Sequence, residues 1–344
     1  MIRVAVVFGG ANTEHDVSCN SARDVAAALD RDRYDVTLLG IDRVGGWHRL
    51  ESVDDLAATG SGSGSRLPDL DGIDVAIPIL HGRFGEDGTV QGLFELAGIP
   101  YTGCGVLASA LAMDKFVAAS VLAAAGIPTI DSVAITTAQR PLAGGLVAHL
   151  GYPLFVKPNR SGSSVGASRV ETERDLDAAI EEALRHDDHA LIQPVVDGDE
   201  VDVGLLQLPG GQVLVGAPLR VHPSAAFDFF DYAAKYTAGG ASFEVPAELA
   251  PETTVRLVEL AQRAFSALGC DGIARIDFFL GRDGALTINE VNTLPGLTAR
   301  SQFPLMFGAV GRSLSFVVDT LIARALRQRS PRILRLASGL PTTS

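Results

Sequence analysis

The chain runs to 344 residues and 36.0 kDa, enough for two or three domains. Hydrophobic residues at 47% and charged residues at 20% exclude a disordered, collagenous or coiled-coil chain. A net charge of −13 and a pI near 4.9 exclude the basic surface of a nucleic-acid binder.

Arg3–Gly10 (RVAVVFGG) is a continuous apolar run ending in paired glycines, which predicts a strand buried in a parallel sheet. A helix is expected over Asn20–Leu29, a strand over Asp35–Ile41 and a connector at the low-complexity Gly60–Ser65. Asp74–Leu80 predicts another buried strand, emptying into HGRFGEDG. This βαβ rhythm implies a doubly wound α/β domain over residues 1–104, with ligands at the carboxyl ends of its strands.

A smaller α+β domain is expected over residues 105–192. It opens with one Ala-rich helix, Leu107–Ala125, followed by strands at Ser132–Ile135, Leu154–Lys157 and Ala167–Val170 and a helix over Glu173–His186. Residues 193–330 predict a third, α+β region with strands at Val201–Gln207, Val213–Val221, Ile273–Leu280 and Ala285–Val291. Its helices are expected at Pro251–Leu268 and Leu314–Arg327, and residues 331–344 are expected to form a flexible tail. No apolar stretch of about 18 residues predicts a membrane span, and no signal-peptide pattern opens the chain. Cys19, Cys104 and Cys270 are too widely spaced for a metal pair or a disulfide framework, so a cytoplasmic setting is expected.

Of 28 basic residues only three are lysine: Lys115, Lys157 and Lys235. A chain that otherwise uses arginine keeps lysine where a compact ammonium is needed. Lys157 ends a strand that leads into NRSGSSVGAS, whose small residues could close backbone N–H groups and hydroxyls around phosphate oxygens. The spacing is not that of a Walker A loop. Farther on, GIARIDFFL and ALTINEVN flank Gly281–Gly284 and predict a hairpin. One face would carry Asp277, Glu290 and Asn292, a hard-oxygen set suited to Mg²⁺, with Arg275 beside it.

Six segments in order, GGANTEHDVS, LHGRFGEDGTVQGLFELAGIPYTGCGVLASALAMDK, VKPNRSGSSVG, DYAAKY, RID and NEVNTLPGLTARSQFP, resemble the D-alanine–D-alanine ligases of the ATP-grasp superfamily across nearly the whole chain. The resemblance implies an ATP-grasp fold of the three domains above, with a lid loop at residues 222–240. It implies ATP-dependent joining of two D-alanine molecules through an acylphosphate, for peptidoglycan precursors. ATP contacts would come from Lys115, Lys157, Ser164, Gln193, Val196, Glu200 and Lys235. Asp277, Glu290 and Asn292 would hold two Mg²⁺, with Mn²⁺ as a substitute. Glu14 would engage the first D-alanine and join Ser163 and Tyr236 in a hydrogen-bonded triad. His81 would lie near that substrate, Arg275 would hold the transferred phosphate, Ser301 the second carboxylate, and Gly296 would border the oxyanion. A homodimer is also implied.

Three residues depart from the family pattern. Gln193 replaces the usual glutamate near the adenine, Ser161 replaces a larger residue, and Gln302 replaces an apolar one beside the second-substrate site. The alternative is therefore a related ligase taking D-lactate, D-serine or another amino acid as second substrate. A Rossmann dehydrogenase fails for want of G-x-G-x-x-G. His15 is expected to be structural, the remaining histidines to be surface or loop residues, and the cysteines to be packing residues.

Overall fold

The computed structural model describes residues 1–60, 62–162, 165–223 and 241–337. The expected Ser163, Ser164, Lys235 and Tyr236, and nearly all of the expected lid loop, lie outside them.

The N-terminal unit is built from β1 (Ile2–Gly9), α1 (His15–Ala28), β2 (Tyr34–Ile41), β3 (Trp47–Leu50), β4 (Val75–Ile79) and α2 (Thr89–Ala97). Its sheet runs β3-β2-β1-β4, with β1 parallel to both neighbours and β3 an antiparallel edge. Both faces of β1 are covered, which explains the unbroken apolar run. Val4, Val6 and Phe8 pack toward α1, while Ala5 and Val7 pack with Val90 and Phe94 of α2. Helix α1 begins earlier than Asn20, which puts Glu14 at its N-cap position.

The expected single helix from Leu107 is two helices, α3 (Val106–Met113) and α4 (Lys115–Ala124), bent by 105°. Asp114 caps α4 by accepting from the Val117 N–H at 3.0 Å. Asn159 captures the new helix start: its Oδ1 accepts from the Phe116 N–H at 2.9 Å, and its carbonyl faces the Lys115 N–H at 3.4 Å. The break swings Lys115 toward the third sheet. Although expected to open the central domain, both helices share their core with the third one.

The central sheet has the order β5-β8-β6-β7, from β5 (Val133–Thr136), β6 (Leu154–Pro158), β7 (Ser168–Val170) and β8 (His189–Pro194). Helices α5 (Ala143–Val147) and α6 (Glu173–Leu184) cover the face formed by Ile135, Leu154, Val156 and Ile192. Strand β8 extends past the expected boundary at 192, so Gln193 belongs to this sheet.

The third sheet contains β9 (Gly198–Gln207), β10 (Val213–Val215), β11 (Leu219–Pro223), β12 (Ala241–Glu244), β13 (Ile273–Gly281) and β14 (Leu286–Asn292). Its order is β12-β11-β9-β13-β14, and β10 also pairs with β9. The expected strand Val213–Val221 is split because Pro218 has no N–H to donate and Ala217 bonds the Met306 carbonyl instead. Helix α7 (Pro251–Ala267) buries Val201, Val203, Ile276 and Phe278 on one face. The opposite face meets α8 (Gln302–Ala309) and α9 (Leu314–Ala337). Helix α9 outruns its expected end at Arg327 and enters the expected tail. Arg324 and Gln328 both bond the Asp271 carboxylate, which holds the helix there. Among the described residues, no single helix is long and apolar enough to cross a membrane.

Candidate active site

The β13–β14 hairpin is the floor of the site. Its pairing sets Asp277 opposite Glu290 and Arg275 opposite Asn292. On the other side of β13, Asp277 stands opposite Asp202 of β9. Asp202, Asp277 and Glu290 therefore form one row across three adjacent strands, facing away from the α7 core. A β-bulge after Asp277 makes this possible: Phe278 pairs with Ile288, so Asn289 is the extra residue. Strict alternation would have put Ile288 and Glu290 on the same face. The bulge sends Ile288 into the core and leaves Glu290 in the site.

Arg275 forks onto the Asp277 carboxylate, with both nitrogen–oxygen distances 2.7 Å, and its Nε lies 3.9 Å from Asp202 Oδ2. Asn292 Nδ2 donates to Asp277 Oδ2 at 2.8 Å. Burial would lower the Arg275 pKa, but Asp277, Asp202 and Glu290 outweigh it, so the guanidinium stays charged.

Two lysines from other parts of the chain converge on consecutive residues of β14. Lys115 Nζ lies 3.4 Å from Glu290 Oε2 and donates to the Ser161 carbonyl at 2.8 Å. Lys157 Nζ donates to Asn289 Oδ1 at 3.3 Å. On β6 and β8, Phe155 pairs with Gln193 and Lys157 with Leu191, so these four share the face turned from the central core. Val196 follows on the connection into β9, and Glu200 lies within that strand. Glu200 joins Asp202 and Asp277 in a group whose carboxylate oxygens lie within 4.8 Å of one another.

The N-terminal unit supplies the opposite wall. Glu14 and His81 are buried, and Asn12 ties their loops by donating to the His81 carbonyl at 2.8 Å while accepting from the Glu14 N–H at 2.9 Å. Burial depresses the His81 pKa and keeps the ring neutral. Gly162 abuts Glu14: a Cβ there would lie 2.9 Å from both carboxylate oxygens. A cleft of about 370 Å³ joins these walls to the Thr293–Gly296 turn. At its far end Ser301 stands at the N-cap of α8, its Oγ 2.7 Å from Thr298 Oγ1, beside Gly296.

Glu86 and Asp202 were missed by sequence reading. Glu86 lines the cleft and accepts from the Gly82 N–H at 2.7 Å; burial, then the nearby Glu14 charge, pushes its carboxyl up to about 8. Its signal was the acidic pair inside HGRFGEDG. Asp202 showed only as a lone acid two residues after Glu200 in an apolar strand. The expected structural role of His15 agrees with its burial and the 2.8 Å contact of Nδ1 with the Gly10 carbonyl. His48 is a correction: on β3, its ring is nearly buried against Asp42, 3.0 Å away, with Gly64 packed closely on it. All three cysteines are buried, free thiols.

A family model described as D-ala D-ala ligase N-terminus matches residues 3–104, and one described as D-ala D-ala ligase C-terminus matches residues 121–323. The chain is 42% identical over 353 residues to D-alanine–D-alanine ligase A of Mesorhizobium japonicum, covering 96% of this chain and 99% of that one. It is 42% identical over 349 residues to the D-alanine–D-alanine ligase of Corynebacterium aurimucosum, covering 94% and 98%. Among solved structures, VanG D-Ala:D-Ser ligase from Enterococcus faecalis superposes with a TM-score of 0.84 at 37% identity, covering 94% of this chain and 99% of that one. The D-alanine–D-alanine ligase of Coxiella burnetii gives a TM-score of 0.84 at 29% identity, covering 98% of each.

Proposed function

The chain belongs to the D-alanine–D-alanine ligase family, and from that premise we propose that it joins two D-alanine molecules into D-alanyl-D-alanine at the expense of ATP, for peptidoglycan precursor synthesis. The observation that carries this reading is the convergence on β14, where Lys115 and Lys157 meet Asn289 and Glu290 beside the Arg275–Asp277 fork. That set neutralises and orients a polyphosphate at one end of a cleft whose other end holds Glu14 and Ser301.

A carboxylate is a poor electrophile, so the first D-alanine is activated by taking the γ-phosphoryl group of ATP onto a carboxylate oxygen, leaving ADP. The amine of the second D-alanine then attacks the acylphosphate carbon, the peptide bond forms, and phosphate leaves. The residues work mainly by positioning and by stabilising charge. Glu14 holds the ammonium of the first substrate, with neutral His81 beside it. Arg275 faces the transferred phosphoryl group, and Gly296 borders the oxyanion. The Ser301 hydroxyl receives the second carboxylate. On the nucleotide side, Lys115 and Lys157 contact phosphates, Gln193 and Val196 the adenine, and Glu200 the ribose. Ser163, Ser164, Lys235 and Tyr236, outside the described residues, are assigned the closure over the phosphates.

Asp277, Glu290 and Asn292 offer two carboxylates and an amide oxygen on one face, which fits hard divalent cations. Two Mg²⁺, or Mn²⁺ in their place, would screen the phosphate charge there. A homodimer in the cytoplasm completes the proposal. Gln302 gives its amide to Asp202, which supports D-alanine over D-serine as acceptor because that amide is already engaged.

The test is isotopic. D-alanine labelled with ¹⁸O in its carboxylate should pass one ¹⁸O to the released phosphate in each turnover. Phosphate without label would contradict acylphosphate formation.

A further inference from the structure

Asp202 and Gln302 are a hundred residues apart in sequence and meet in the interior. Gln302 Nε2 donates to Asp202 Oδ2 at 2.5 Å; Asp202 is fully buried and Gln302 is 8% exposed. The same Asp202 oxygen lies 3.9 Å from Arg275 Nε. Gly204, on the same face of β9, lets the contact form. A Cβ there would come within 3.0 Å of two Phe303 ring carbons, so only a bare backbone lets the start of α8 settle on the strand.

We propose that Asp202 and Gln302 are a positioning pair that orients the Arg275 guanidinium and ties it to the first turn of α8. One guanidinium sits between two buried carboxylates. Asp277 takes both fork bonds, and Asp202 approaches from the adjacent strand. A second buried carboxylate needs donors of its own, because an uncompensated charge in the interior is costly. The Gln302 amide is one of them, and it fixes the rotamer of Asp202. Asp202 then holds the Nε side of Arg275, keeping its remaining N–H groups aimed into the cleft. Gln302 directly follows Ser301, so one helix start sets both the acceptor hydroxyl and, through Asp202, the phosphate-facing arginine. An apolar residue at 302 would fill the space but leave the Asp202 rotamer unfixed.

This rests on the ligase reading for its readout. Full-length wild type, Gln302→Leu, Gln302→Glu and the double variant Asp202→Asn with Gln302→Glu are compared in D-alanine-dependent phosphate release, varying ATP and Mg²⁺. Gln302→Leu should lower kcat by about tenfold while KM for ATP stays within about twofold, because Arg275 acts on the transferred group. Gln302→Glu sets two carboxylates face to face and should lose more. Asp202→Asn in that background re-creates an amide-to-carboxylate bond with the roles exchanged, and should recover most of the loss, which a purely space-filling role would not do. Near wild-type kcat in Gln302→Leu, or no recovery in the swap, would overturn the pair. A large rise in the Mg²⁺ needed by Gln302→Leu would overturn it too, by making Asp202 a metal ligand. Should Gln302→Glu fail to fold, Gln302→Leu decides alone. Wild type inactive with D-alanine would count against the ligase reading, whereas an active wild type with unaffected variants counts against the pair.

Discussion

Asp277 faces Glu290 across the β13–β14 ladder at the last regular pairing before the bulge at Asn289. The two carboxylates are differently supported. Asp277 is 1% exposed and held by Arg275 and Asn292, while Glu290 opens to the cleft within 3.4 Å of Lys115. Asp277→Asn and Glu290→Gln each remove one charge from the site proposed to gather phosphates and divalent cations. Turnover should fall on the order of 100-fold in each, since even outer partners of a bound metal are worth roughly ten- to hundredfold. Phosphate release close to wild type in either variant would refute the assignment.

Gly162→Ala probes the wall between Glu14 and the expected phosphate loop. The added methyl would lie 2.9 Å from both Glu14 oxygens, closer than side chains tolerate. The Gly162 backbone is not left-handed, so the effect is steric and directed at Glu14. KM for D-alanine should rise by about tenfold or more through misplacement of Glu14, the carboxylate proposed to hold the substrate ammonium, with the unfolding midpoint nearly unchanged. Unchanged D-alanine saturation would separate Glu14 from substrate binding.

Much of this site could be read in the sequence because its signals are local. The lysines stood out against an arginine background, and the hairpin announced its face by period. What stayed hidden depends on partners far along the chain. The Ala-rich run through Asp114 favours one continuous helix, and Asn159 decides otherwise. The bulge that frees Glu290 from the core face has no residue signature, for Asn289 is neither glycine nor proline. Asp202 acquires a role only when Gln302 folds against it. That Glu200 and Asp202 come to lie beside Asp277 was hidden too, because spacing within a strand does not tell which strand lies alongside.

Glu86 gives a pH signature. Its carboxyl is raised from 4.5 to about 8 by burial, then by the Glu14 charge. Across that interval the folded protein keeps a proton that the unfolded chain has released, so this group lowers stability as pH rises. Glu86→Gln cannot release a proton. Its unfolding temperature should match wild type near pH 4.5 and exceed it progressively up to about pH 8, levelling above that. Parallel profiles for the two proteins would show that Glu86 titrates normally.

The most direct measurement places D-alanine, D-serine and D-lactate together with ATP and Mg²⁺, and resolves the products by mass. With Gln302 engaged by Asp202, D-alanyl-D-alanine should be the main product, formed with one phosphate per peptide bond. Mainly D-alanyl-D-serine or D-alanyl-D-lactate, or ATP consumption without any dimer, would contradict D-alanine–D-alanine ligation.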